Sequence, residues 1–142
     1  MWAGQALSPS SPLYNMVLAF SIKGAIDVKK FQVAFQALVN SSDSMRIIFH
    51  DEAGIPKQKL VSKLDYLLPF VDYSDQANPE QVFQAWAAER SQLQLDLSRC
   101  AFDSALIKIE AEHYVWYFNQ HHLITDAWSV SVLYNKMVEL YE

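Results

Sequence analysis

His121 and His122 stand together, and Asp126 follows four residues after the second of them, in the run Asn119-Gln120-His121-His122-Leu123-Ile124-Thr125-Asp126-Ala127-Trp128-Ser129. Imidazole is the side chain whose ordinary pKa lies nearest neutrality, so it suits taking and returning a proton. An apolar segment of strand character leads into the pair, and a helical pattern begins just after Asp126. This arrangement sets an imidazole at the exit of a rigid strand, with a carboxylate close enough to brace the turn. Neighbouring side chains of a strand point to opposite faces. The two histidines therefore have different jobs: one faces a cleft, and the other packs or hydrogen-bonds behind it.

Other chemistries fit less well. His122 and Asp126 can share a metal ion on one helical turn, with His50 or His113 as a third ligand. The chain has no second histidine at helical spacing and no cysteine cluster, which weighs against zinc. No Gly-x-Ser-x-Gly elbow is present for a serine nucleophile. The plainer alternative is a pair of satisfied structural histidines at a strand end. Cys100, beside Arg99, reads as a small packed thiol rather than a reactive one.

The bounds agree with a single globular unit. The chain has 142 residues, is 51% hydrophobic and 19% charged, and carries a net charge of −5. No basic stripe recommends nucleic acid as a partner. Charges interrupt every apolar stretch well short of a bilayer span, so no membrane segment is expected. No Lys or Arg precedes Lys23, hence no signal-peptide n-region is expected. The single cysteine suits a reducing compartment, here taken as the cytoplasm.

The elements that must position the histidines follow from periodicity. Residues 1–15, rich in Ser and Pro, read as a loop, and 16–23 as a strand closed by Gly24. Asp27 caps a helix over 28–40, with Val28, Phe31, Phe35, Leu38 and Val39 on one face. Residues 45–50 read as a strand, Ala53-Gly54 as a hairpin turn, and 57–61 as its return. Another strand is expected over 67–73. Asn78-Pro79-Glu80 opens a helix whose stripe is Val82, Phe83, Trp86, Ala87 and Leu93. Strands over 105–109 and 113–119 flank an Ala111-Glu112 turn. A final helix runs from about 129 to the end, with Val130, Leu133, Tyr134, Met137, Val138 and Tyr141 inward. The order implies a mixed α/β fold, with helices packed on a sheet. No glycine-rich phosphate loop follows any strand.

The run from His121 to Ser129 resembles the His-His-x-x-x-Asp-Gly-Trp-Ser signature of nonribosomal peptide synthetase condensation domains, which belong to the chloramphenicol-acetyltransferase-like acyltransferases. Met1-Trp2 through Gln5 and Ser11-Pro12-Leu13-Tyr14-Asn15-Met16 are similar to that family's opening segment. Ser42-Asp43-Ser44-Met45-Arg46-Ile47-Ile48-Phe49 resembles its Arg-His-Glu-x-Leu-Arg-Thr-x-Phe segment, retaining the second Arg and the Phe. Leu95-Asp96-Leu97 resembles its Phe-Asp-Leu step. The likeness spans almost the whole chain in the family's order. Ala127 stands in place of the family glycine, which matters if that position needs a positive φ. Ser42 and Asp43 replace the Arg-His of the earlier segment, and the chain stops at Glu142, short of a second lobe.

The resemblance implies a chloramphenicol-acetyltransferase-like two-layer sandwich, with residues 1–142 as an N-terminal lobe whose start is clipped. It implies amide-forming acyl transfer between carrier-protein-bound aminoacyl or peptidyl thioesters. His122 would accept the amine proton or orient the amine, His121 would be structural, and Asp126 would fix the loop through a salt bridge to Arg46. Trp128 and Ser129 would pack and cap the last helix. No directly bound cofactor is implied, only phosphopantetheine-tethered substrates. The implied partners are carrier proteins, a second lobe and neighbouring synthetase domains, with self-association expected of an isolated lobe. Two other readings stay open: a coenzyme A-dependent acyltransferase of the same superfamily, and a non-catalytic module that recruits carrier proteins or a partner lobe.

Overall fold

The computed structural model describes residues 15–121 and 127–142. Residues 1–14 of the expected opening loop, His122 and Asp126 thus lie outside the described residues. Strand β1 (Asn15–Lys23) is followed by helix α1 (Val28–Ser41) and a 3-10 turn (Asp43–Arg46). The hairpin β2 (Ile47–Glu52) and β3 (Ile55–Leu60) comes next, then β4 (Phe70–Asp72) and helix α2 (Pro79–Arg90). Strands β5 (Phe102–Glu110) and β6 (His113–His121) precede helix α3 (Ala127–Tyr141).

Four strands form one mixed sheet in the order β1-β6-β5-β4, and β2-β3 form a separate pair. The β1/β6 and β5/β6 pairs are antiparallel, and β4 runs parallel to β5. The strand that ends in His121 is thus held on both edges. Its period-two pattern splits the interior into two layers. Tyr114, Trp116 and Phe118 meet Phe31, Phe35 and Leu38 of α1 and Leu133 and Met137 of α3. Val115 and Tyr117 meet Phe83 of α2 on the opposite face. This is the expected helix-on-sheet sandwich, with α2 covering part of the second face.

Local chemistry explains the element ends. Gly24, at φ 116°, breaks β1, and its N–H bonds to the Glu112 carbonyl at 2.7 Å. The Asp27 side chain accepts the Lys30 N–H at 3.1 Å, the N-cap expected from its type. Rings lock α1 onto β6: Phe35 stands edge-on to Trp116 and Phe118, at centroid distances of 6.1 and 6.0 Å. The Asp27 N–H also bonds to the Tyr141 hydroxyl at 3.0 Å, tying the end of α3 to the start of α1.

The β2–β3 turn carries strain. Ala53 sits at φ 54° and Gly54 at φ 81°, so both central residues are left-handed, as a two-residue hairpin of this twist requires. Glycine does this freely, whereas alanine is held there at a cost of about 1–2 kcal/mol. Ala53→Asn should raise stability by about 0.5–1 kcal/mol, since Asn tolerates positive φ. The urea midpoint is the check, and an unchanged or lower midpoint would count against the strain.

Four expectations need correction. Met45 and Arg46 are in the 3-10 turn, and the strand starts at Ile47. Of the expected 67–73 strand, Phe70–Asp72 is strand, with the Pro69 carbonyl and the Tyr73 N–H also bonded to β5. Upstream, backbone groups bond to side chains of α1 instead: Gln36 binds the Leu64 carbonyl and the Tyr66 N–H, and Gln32 the Leu68 carbonyl. Leu93 lies past the end of α2 and is 45% exposed. The last helix begins at Ala127, and Val138 is 40% exposed. At about 100° per residue, Leu133, Met137 and Leu140 fall within about 60° of arc, and Val138 lies about 100° outside it.

Candidate active site

The candidate site is the end of β6, whose last residue is His121; the next described residue, Ala127, begins α3. His121 is the last residue of β6 and is 1% exposed. Its N–H bonds to the Ala101 carbonyl at 3.0 Å, which closes the ladder beside β5. By strand alternation its side chain shares a face with Tyr117 and Asn119. Trp128 and Ser129 fall in the first turn of α3, so Ser129 is inside the helix rather than at its cap. Ala127 is the first residue of that helix. Its backbone is therefore helical, no positive φ is required, and alanine is at least as suitable there as glycine.

Arg46 is largely buried, and each of its guanidinium nitrogens is engaged. Nε donates to the Val39 carbonyl at 3.1 Å, Nη1 to the Val61 carbonyl at 2.9 Å, and Nη2 to Asp43 at 2.7 Å. Arg46 thus ties the end of α1 to the segment after β3. Its expected partner Asp126 is outside the described residues. The other histidines are elsewhere. His113 begins β6, ~26 Å from its end at 3.3 Å per residue, and shares a 2.9 Å hydrogen bond with Ser21. His50 is on β2, 3.9 Å from Glu52. Among the described residues no three His, Cys, Asp or Glu side chains cluster as a metal site would need.

Sequence reasoning missed a polar clamp next to the site. Arg90, at the end of α2, grips Asp103 with Nε and Nη2, both at 2.7 Å. The hydrogen bond to Asp103 is the main reason the guanidinium is held above its usual pKa. The Tyr66 hydroxyl accepts the Ser104 N–H at 2.9 Å and lies 3.5 Å from Asp103. Burial pushes this phenol well above its ordinary range. The Ser104 hydroxyl donates to the Tyr117 carbonyl at 2.7 Å and accepts the Trp116 indole N–H at 2.8 Å. Asp103 pairs directly with Asn119, so the clamp fixes the strand just ahead of the histidines. No sequence motif marks it, because its members are brought together only by the sheet.

Cys100 bonds through its thiol to the Phe102 carbonyl at 3.3 Å, and burial pushes its pKa up to about 11. The thiol therefore stays protonated at neutral pH, as a packed residue rather than a nucleophile. A maleimide at pH 8 should label it far more slowly in the folded chain than in urea. The sign for stability follows. An unfolded thiol ionises near its ordinary value while the folded one resists, so stability falls as pH rises from that value through about 11. Equally fast labelling of folded and unfolded protein would contradict this burial.

Comparison with known proteins covers the whole chain. The family profile described as "Condensation domain" matches residues 1–142. A linear gramicidin synthase from Brevibacillus parabrevis is 30% identical over 145 aligned residues, which take in 100% of this chain and 2% of that protein. Isonitrile lipopeptide synthase of Streptomyces coeruleorubidus is 30% identical across 99% of this chain and 10% of its own length. The crystal structure of the starter condensation domain of rhizomide synthetase RzmA superposes with a TM-score of 0.91 at 27% identity, covering 99% of this chain and 36% of that one. This chain therefore spans a small fraction of the synthases it matches and about a third of the solved domain. No helix among the described residues is long and apolar enough to cross a membrane.

Proposed function

Because the chain belongs to the condensation-domain family of nonribosomal peptide synthetases, we propose that it serves amide-forming acyl transfer between carrier-protein-bound thioesters, as the N-terminal lobe of such a domain. The observation that carries the reading is the frame around the motif. A doubly flanked strand ends at His121, a helix begins at Ala127, and the His-x-x-x-Asp stretch falls between them. His122 takes the proton of the attacking amine, or orients that amine, as nitrogen adds to the thioester carbonyl and the thiol leaves. His121, buried at the strand end, is structural, and Asp126 fixes the loop through a salt bridge to Arg46.

No cofactor need be held by the chain itself. The substrates arrive on phosphopantetheine arms of carrier proteins, and further synthetase domains are the natural neighbours. A general base supplies only part of the acceleration. Holding two tethered substrates in register is worth about 7–11 kcal/mol and needs both walls of a tunnel. Residues 1–142 alone are accordingly expected to be inactive and to self-associate through uncovered apolar surface.

The test uses the native full-length polypeptide. It is mixed with one carrier protein bearing a donor aminoacyl thioester and another bearing an acceptor. The amide product is followed by mass spectrometry, in parallel with the same donor as its coenzyme A thioester. Product from the carrier-bound donor, at a higher kcat/KM than from coenzyme A, is the expected result. Product from coenzyme A alone would move the assignment to the coenzyme A-dependent acyltransferases, and no product from either donor would favour a recruiting module.

A further inference from the structure

The chain has three arginines, and two of them are committed to the fold. Arg46 bonds to the Val39 and Val61 carbonyls and to Asp43, and Arg90 grips Asp103. Arg99 is exposed and has no ion-pair partner among the described residues. The carboxylate nearest to it in sequence, Asp96, is taken up by the Ser98 N–H at 3.1 Å and the Ser98 hydroxyl at 2.6 Å. The turn that carries Arg99 is anchored. The Arg99 and Cys100 N–H groups both bond to the Asp96 carbonyl at 3.0 Å, and Leu95 and Leu97 on either side of Asp96 are buried. The Leu97 carbonyl in turn accepts the Phe49 N–H at 2.7 Å.

This turn leads into the end of β6. Two residues after Arg99, the Ala101 carbonyl accepts the His121 N–H at 3.0 Å. Two residues of chain span at most about 7 Å and neighbouring strands lie about 5 Å apart, so the Arg99 backbone is within about 12 Å of the His121 backbone. The other cations of the sheet are at its opposite end, where Lys23 pairs with His113 and Lys108 with Tyr114. On a chain of net charge −5, an unpaired guanidinium beside the strand end is a local attraction for an anion. The proposed reaction brings one there. Its thioesters are tethered through phosphopantetheine, whose phosphate is at the end of the arm away from the reacting carbonyl. A guanidinium meets a phosphate with two parallel N–H···O bonds and stays charged at every working pH. Arg99, set back from the strand end by a short turn, suits the phosphate end of such an arm.

We propose that Arg99 binds the phosphate of a substrate's phosphopantetheine arm and so holds the arm by its far end while the thioester reaches the end of β6. The proposal rests on the acyl-transfer reading given above. It adds a specificity-determining residue, one that favours substrates bearing the phosphate over those without it and touches none of the reacting atoms.

The experiment compares wild type, Arg99→Gln and Arg99→Lys in the native full-length polypeptide. Donor and acceptor are each presented as the phosphopantetheine thioester and as the pantetheine thioester, which differ only in the phosphate, and also on their carrier proteins. Wild type should prefer the phosphorylated form of at least one of the two substrates by about tenfold in kcat/KM, the size expected for one charge-assisted hydrogen-bonded pair. Arg99→Gln should lose that preference, Arg99→Lys should keep part of it, and the carrier-bound form of the same substrate should fall in parallel in Arg99→Gln. Product with the preference unchanged in Arg99→Gln would overturn the proposal and leave the acyl-transfer reading standing, whether or not both rates had fallen together. A preference lost for the free arm with the carrier-bound substrate unaffected would show an incidental phosphate contact and would overturn it as well. Absence of amide product from every wild-type reaction would remove the acyl-transfer reading, and the proposal with it.

Discussion

Replacing His122 by Ala in the native full-length polypeptide is expected to lower kcat for amide formation by about 10²–10⁴-fold, the range a well-placed general base contributes. The same variant should keep the wild-type melting temperature and circular dichroism spectrum. The reason is positional. His121 is 1% exposed and closes the β5–β6 ladder, so it is committed to the fold. His122, which lies outside the described residues, is the member of the pair that the proposal gives to substrate. His121→Ala should show the reverse pattern, with loss of stability first. If both variants lost stability and turnover in proportion, the division of labour between the two histidines would be wrong.

Arg90→Ala is expected to cost about 3 kcal/mol of unfolding free energy, near the low end for a broken buried ion pair because Arg90 itself is 38% exposed. Asp103 has only 8% of its side chain exposed and would keep the 3.5 Å contact from the Tyr66 hydroxyl. A carboxylate left in that position is the source of the penalty, not the lost attraction alone. The double variant Arg90→Met with Asp103→Leu should recover most of the stability, since an apolar pair of similar volume removes the stranded charge. Urea denaturation near neutral pH separates the outcomes. A single variant within experimental error of wild type would show that solvent reaches Asp103. Because Asp103 pairs with Asn119, Arg90→Ala should also lower turnover by loosening the strand before the histidines.

Elements set by local chemistry were legible in the sequence. Asp27 and the apolar spacing of Phe31, Phe35 and Leu38 mark α1 correctly, and Pro79 marks the start of α2. The β5–β6 hairpin was also legible, since its period-two runs flank a short polar turn. The histidine motif and the family were readable because they reside in residue types at fixed spacing. What could not be read depends on distant partners. The segment before Phe70 has the composition of a strand, yet Gln32 and Gln36 of α1 take its backbone groups. Met45 and Arg46 look like the first residues of a strand, but Arg46 bonds back to the Val39 carbonyl and the chain turns first. The Arg90–Asp103–Tyr66 clamp joins three separate stretches of chain, so no local pattern announces it. Likewise, the burial of Gln120 depends on Met16 and Phe102 flanking it across the sheet, which only the strand register reveals.

Acceptor mass is the most direct test of the account. The native full-length polypeptide and its His122→Ala variant are each mixed with the two loaded carrier proteins, and the acceptor carrier is weighed intact after a single turnover. The acceptor should gain the mass of the donor acyl group with the wild type and keep its original mass with the variant. Equal transfer by both proteins, with both folded, would contradict the central claim that His122 handles the amine proton in this reaction.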